Sequence, residues 1–334
     1  MRKILESLTA ISFALVIALA VCALLGESPS TVLKVLFTSS FGGANNFAYT
    51  IFYATPLIFT GLSVAVAFHA GLFNIGAEGQ LYMGSLLLTW AALSFPNIPS
   101  IAAKVFVVLL ALIGGGAWGA LAGYLKTKRG AHEVIVTIML NFIAYAFCGY
   151  MILNPLKTQT NQNPETAEIS SHYFLHKFSD ATPLNTAFFL ALIACLVVWV
   201  LLFKTNWGFE VRMIGSSLET AKRSGVNIHK RLIQAMFLSG GLAGLVGVNE
   251  VLGNVHKLKD QFSTGYGFIG IAVALLARNK PLAIIASAIL FGALAKGSLD
   301  LELDTEKITR DMALMIQGLI ILFVAARANK GGKP

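Results

Sequence analysis

Charge is what this sequence has least of. Its 25 Lys and Arg and 16 Asp and Glu make up only 12% of 334 residues, against roughly 25% in an ordinary soluble domain. Too few charges are present to clothe water-soluble domains, which leaves a polytopic membrane protein as the class. Cysteine is nearly absent as well. Cys22, Cys148 and Cys195 stand far apart, each in an apolar run, so no pair has metal-ligand spacing and all three read as small core- or lipid-facing residues. No G-x-x-x-x-G-K-[ST] occurs, since "FGALAKGS" has the wrong order; this excludes ATP hydrolysis by a P-loop. A G-x-S-x-G nucleophile elbow is missing too. Acidic residues are too sparse within the apolar runs to form a proton-relay chain.

What is there is hydrophobic: 56% of residues, with a mean hydropathy of +0.73. A spanning helix needs about 20 largely apolar residues. Ten stretches qualify, at 5–25, 49–68, 76–95, 101–125, 133–153, 184–203, 232–252, 267–278, 281–297 and 311–326, the eighth and ninth being short. The first continues past Cys22 and reads as a retained helix and not a cleaved signal. With the N-terminus in the cytoplasm and strict alternation, the inner segments hold 16 of the 25 basic residues and the C-terminus also falls inside. The net charge of +9 is then a topological signal and not a nucleic-acid footprint. The chain reads as one transmembrane domain, 1–334, with an outer loop at 154–183 and a cytoplasmic loop at 204–231. His172 and His176 in the outer loop are four apart, with Asp180 one turn later, which predicts a solvated helix face more readily than a metal site.

Three stretches carry polar groups where apolar ones are expected. "AGLFNIGAEGQLYMG", 70–84, holds Asn74, Glu78 and Gln80 among four glycines. Asn74 and Glu78 would share a helix face, but the glycines weaken the helix. The stretch fits either a broken membrane helix around a polar interior or a plain turn in the headgroups. "HEVIVTIMLN" sets Glu133, Thr137 and Asn141 at i, i+4 and i+8, a stripe that in lipid must face a partner helix or a cavity. Asn249 and Glu250 pose the same question farther on. In the inner loop, Leu218, Ala221 and Val226 alternate with Glu219, Lys222 and Arg223, predicting a short amphipathic helix over 217–224 stopped by Gly225. Gly115, Gly119 and Gly123, and again Gly240 and Gly244, recur every four residues, the spacing that brings membrane helices close together.

Taken in order, "AGLFNIGAEGQLYMGS", "HEVIVTIMLNFIA", "AMFLSGGLAGLVGVNEVLG" and "GYGFIGIAVALLARNKPLAIIASAILFGAL" resemble the permease subunits of ABC importers, in the nucleoside and simple-sugar branch related to ribose and branched-chain amino acid permeases. The likeness spans roughly 50–325. It implies a ten-helix permease with cytoplasmic termini in the bacterial cytoplasmic membrane, broken near 71–85, with Asn74, Glu78, Gln80, Glu133, Thr137 and Asn141 along the translocation path or bracing the break. It implies a coupling helix within 216–230, seated in an ATPase subunit. Glu219-x-Ala221-x-x-x-Gly225 is similar to the coupling signature of other importers, with Thr220 where a second Ala is commoner. It further implies a second homologous permease in a heterodimer, a substrate-binding lipoprotein or periplasmic protein, and no cofactor on this chain, ATP being bound by the partner. The cargo expected is a nucleoside, with a simple sugar or riboflavin next. An ion-coupled secondary transporter is the alternative of another class, and it would require an essential carboxylate at Glu78 or Glu133.

Overall fold

The computed structural model describes residues 27–158 and 163–304, together with Val16, Leu19, Ala20, Ala23 and Gly318. Apart from those five positions, the spans expected at 5–25 and 311–326, and both chain termini, lie outside the described residues. Among the described residues, eleven α-helices run in chain order: α1 Pro29–Phe41, α2 Ala44–His69, α3 Ala77–Ser94, α4 Ser100–Arg129, α5 Glu133–Leu153, α6 Ala187–Lys204, α7 Asn206–Ser216, α8 Leu218–Arg223, α9 Ile228–Gly244, α10 Tyr266–Leu276 and α11 Pro281–Asp304. A π-helical segment, Val248–Val255, continues α9. Among the described residues, six helices are long and apolar enough to cross a membrane: α2, α4, α5, α6, α9 with its π extension, and α11 up to Leu303. The eight expected spans that fall on described residues lie largely on helix, but 184 and 185 belong to a strand, and the helices at 76–95 and 267–278 are not among the six. α1 was not foreseen. Pro29 opens it, and it buries Val32, Val35, Ser39 and Ser40, with the Ser40 hydroxyl donating to the Ala293 carbonyl of α11 at 2.7 Å.

The bundle is centred on α2, whose middle is buried from Thr50 to Ala67 with only Tyr53 partly open. Two of its hydroxyls bond to their own helix: Thr55 donates to the Ile51 carbonyl at 2.8 Å and Thr60 to the Pro56 carbonyl at 3.1 Å. That satisfies polar groups where no water competes. The four-residue glycine spacing does what it predicts. A Cβ on Gly240 would overlap the Gly115 carbonyl, one on Gly119 would overlap the Met236 carbonyl, and one on Gly84 would overlap Gly244. The backbones of α3, α4 and α9 therefore touch without side chains between them, as small residues allow in membrane helices.

The two ends of the bundle are built differently. At one end a cap folds over the helices. A hairpin pairs β1, Lys177–Ser179, with β2, Thr182–Asn185. The backbone of Thr166 donates to Leu258, Asp260 to Pro164 and Leu175 to Leu252, and the Tyr173 hydroxyl donates to the Phe95 carbonyl at 2.5 Å. His172 sits in a 3-10 turn, Ser171–Tyr173, and His176 lies just before β1, so the expected helix face is not formed there. Burial of Tyr173 and the stacking of Phe174 on His256 at 3.6 Å hold the segment in an extended course. At the other end lie α7 and α8, the α4–α5 turn and the α10–α11 turn, around a second small core that includes Leu72, Val211, Ile214, Ala221 and Leu232. We call this the elbow end.

Candidate functional site

Between α2 and α3 the chain leaves the helix for seven residues, 70–76. Gly71 turns it with φ of 71°, a value that glycine reaches without a Cβ penalty. The segment then climbs into the bundle. Asn74 reaches Ser239, about 16 Å along α9 from its first residue at 1.5 Å per residue. Irregular backbone at such depth survives only where protein satisfies its N–H and C=O groups.

Two asparagines do this. Asn141 of α5 accepts from the Gly79 N–H at 2.7 Å through Oδ1 and donates through Nδ2 to the Ile75 carbonyl at 3.0 Å. One amide thus serves both the break and the first turn of α3, whose N–H groups have no intrahelical partner. Asn74 Oδ1 accepts from the Gly76 N–H at 2.9 Å. Its amide pairs reciprocally with that of Gln80, at 2.8 and 3.1 Å, and Nδ2 also donates to Ser239 Oγ at 2.8 Å. Ser239 donates onward to the Ser63 carbonyl of α2 at 2.7 Å. Asn74, Glu78, Gln80 and Asn141 are all at most 2% exposed. Glu78 Oε2 accepts from the Gly267 N–H at 2.6 Å, so a side chain from another element caps one of the N–H groups at the start of α10 that have no intrahelical partner.

The predicted stripe is real but divided. Asn141 joins the network. Thr137 is buried and faces Gly76, where an added Cβ would stand 3.0 Å from its own, while its hydroxyl donates to the Glu133 carbonyl at 2.8 Å. Glu133 stands apart at the elbow end, in an ion pair with Lys126 at 2.7 Å. Ser239, Ser63 and Gly267 were not singled out from sequence. Only Ser239 had a signal, a lone hydroxyl beside Gly240 and Gly241 in an apolar run. A second polar cluster lies toward the cap, where Glu250 accepts from Asn249 at 3.2 Å and from the Tyr266 hydroxyl at 3.3 Å. Among the described residues no three His, Cys, Asp or Glu side chains are grouped as a metal site.

The elbow is built from three capped helices. Thr205 Oγ1 accepts from Gly208 N–H, Ser217 Oγ from Thr220 N–H and Asn227 Oδ1 from Lys230 N–H, the N-cap chemistry of short polar side chains. Gly225 ends α8 with φ of 76°. Ala221 is fully buried while Leu218 is 56% exposed, and Glu219 and Arg223 form an exposed pair at 3.6 Å. The guanidinium of Arg231, bonded to Glu210 at 2.5 Å, holds that carboxyl below the usual carboxylate range. A cavity of about 410 Å³ opens between the elbow and the foot of the break, lined by Gly71, Leu72, Lys126, Glu133, Ser217 and His229 among others.

Comparison with known proteins bears on this arrangement. The chain is 35% identical to the guanosine ABC transporter permease NupP of Bacillus subtilis, over 98% of this chain and 95% of that one. It is 33% identical to the nucleoside ABC transporter permease NupB of Lactococcus lactis, over 98% and 92%. It is 30% identical to the glucose ABC transporter permease TsgB13 of Haloferax volcanii, over 90% and 81%. These relatives are permease subunits. The family model described as the branched-chain amino acid transport system permease component matches residues 46–325. A helical bundle with six membrane-length helices among the described residues, glycine-packed around a buried break, is thus a membrane permease, and the chain belongs to the branched-chain amino acid transport system permease component family.

Proposed function

We propose that this chain is one transmembrane subunit of an ATP-binding-cassette importer and forms part of the translocation path for a nucleoside or a related small polar solute. A separate ATPase drives it through α8. The observation that carries this reading is the elbow: a six-residue helix, capped at Ser217 and closed by Gly225, anchored by one buried Ala221 and otherwise exposed. A helix too short to be stable alone and held at both ends suits docking to a partner. Glu219, Ala221 and Gly225 are its coupling residues. Asn74, Glu78, Gln80, Glu133, Thr137 and Asn141 brace the break or border the path. The complete transporter adds a second, similar permease, a binding lipoprotein or periplasmic protein, and ATP on the ATPase subunit. Switching of the bundle between two faces is rigid-body motion around that path.

Uptake of labelled guanosine into proteoliposomes holding the full assembly, with binding protein outside and ATP trapped inside, tests the reading. Uptake is expected only with ATP. ATPase stimulation by the binding protein without guanosine uptake would keep the class and move the cargo to a sugar, a reading favoured by the likeness to TsgB13, or to riboflavin. Uptake without ATP would establish an ion-coupled carrier in its place.

The orientation has its own test. In a variant without native cysteines, Cys at position 178, in the exposed hairpin, is expected to react with an impermeant maleimide added to intact cells. Cys at 218 is expected to react only in inverted vesicles. The reverse pattern would turn the topology over.

A further inference from the structure

Three backbone stretches distant in sequence meet at the elbow end. His69, the last residue of α2, has Nε2 3.0 Å from the Asn279 carbonyl oxygen. A carbonyl only accepts, so this nitrogen carries the hydrogen. Arg278 and Asn279, in the turn between α10 and α11, have φ of 52° and 56°. Two consecutive non-glycine residues in that region are held only where the surroundings over-determine them, and such strain gathers at switches. Asn279 Oδ1 is also buried without a hydrogen-bond partner among the described residues.

The elbow meets the same corner from the other side. Gly215, near the end of α7, packs bare backbone against Gly71. A Cβ on Gly71 would stand 3.1 Å from the Gly215 Cα, and one on Gly215 would overlap the His69 carbonyl. The His69 ring sits edge-on to Phe203 at 5.6 Å, and the Arg212 guanidinium lies over that same ring at 4.9 Å. Three residues beyond Gly71 the chain reaches Asn74 and the buried network. A backbone-to-backbone contact has no side chain to absorb a displacement, so a shift of α7 must either carry Gly71 with it or break the contact.

We infer that the His69–Gly71 corner is the lever that passes elbow movement to the break and to the α10–α11 turn, with His69 as a positioning residue that holds the strained turn. This inference rests on the ATP-driven reading above, which supplies the force on the elbow. The α4–α9 seam is the poorer route, because its glycines lock those two backbones together. In the present arrangement His69 holds Asn279 in its left-handed conformation; when α7 moves, the hydrogen bond breaks and the turn relaxes.

The test uses the complete reconstituted transporter and reads solute taken up per ATP hydrolysed. His69→Leu and Asn279→Val are expected to lower that ratio about tenfold, the scale of coupling carried by a single joint, while binding-protein-stimulated ATP hydrolysis persists. His69→Gln, which returns an N–H within reach of the carbonyl, and Asn279→Gly, which adopts positive φ freely, are expected to keep the ratio near that of the unaltered chain. An unaltered ratio in His69→Leu, or equal losses in the Leu and Gln variants, overturns the inference. The Asn279 pair decides the matter if the His69 variants do not reach the membrane. An unaltered transporter that shows no ATP-dependent uptake would sink the importer reading itself, an outcome distinct from a changed ratio.

Discussion

Gly240→Leu is expected to leave no recoverable folded permease. Even a single Cβ there would overlap the Gly115 carbonyl and come within 3.1 Å of Gly119 Cα. Ordinary overpacking costs about 1–3 kcal/mol because side chains can change rotamer. Here the obstacle is backbone on a facing helix, so α4 and α9 must separate along their length and lose the close approach that drives membrane helix association. The measurement is size-exclusion chromatography of detergent-solubilised protein, followed through a thermal ramp. The expected result is loss of the monodisperse peak. Gly149→Ala is the control, since its Cβ would meet nothing nearer than Asp260 at 3.7 Å, and it should elute as the unaltered protein does. A monodisperse Gly240→Leu variant of unchanged thermal stability would show that the seam is not the bundle's closest joint.

Asn141→Leu is the second large effect, and it separates folding from activity. Leucine fills a similar volume but strands the Gly79 N–H and the Ile75 carbonyl, each of which now has its bond to Asn141. A buried polar group left unmade costs about 1–3 kcal/mol, so the variant should lose roughly 2–6 kcal/mol, concentrated at the break. The glycine seam lies on other helices and remains. The expected outcome is a monodisperse protein with a lowered Tm and ATP-dependent uptake reduced by a factor of about ten or more, as misplacement of a positioning group commonly gives. Asn141→Asp keeps the acceptor for Gly79 but loses the donor to Ile75, and should fall between the two. Full uptake by Asn141→Leu would show that the break is held by the rest of its surroundings and that the asparagine is dispensable.

Much of this architecture could be read from the sequence because its signals are local. The apolar runs mark α2 to α6, α9 and α11, and the glycine spacing marks the seam. The polar residues at 74, 78, 80 and 141 mark the site. Their pairing could not be read. Asn141 meets Gly79 across 62 positions and Glu78 meets Gly267 across 189, and no periodicity links residues on different helices. The same limit explains why Glu133 belongs with Thr137 and Asn141 by spacing yet pairs with Lys126. Its side chain sits at the helix start, where the nearest partner is the basic end of α4. The cap was missed for a different reason. β1 and β2 are three and four residues long, too short for a pattern, and the course of 164–175 before them is set by backbone bonds to 252–260. The π segment also follows from packing, since nothing in "VNEVLGNV" favours it over an α-helix.

The cap that Glu78 places on α10 bears on how the chain is made. α10 is 11 residues long, about 16 Å, which is half of a bilayer's hydrocarbon core of about 30 Å. Such a segment is too short to be taken up as a span by itself, and its first N–H groups need partners before they can leave water. The partner at Gly267 is a carboxyl oxygen of a residue synthesised 189 residues earlier, already carried on α3. Biogenesis therefore has an order built into it. The break must be assembled and Glu78 presented before the last fifth of the chain can dock, and a nascent permease whose break is misassembled would present the cell's quality control with an uncapped half-helix.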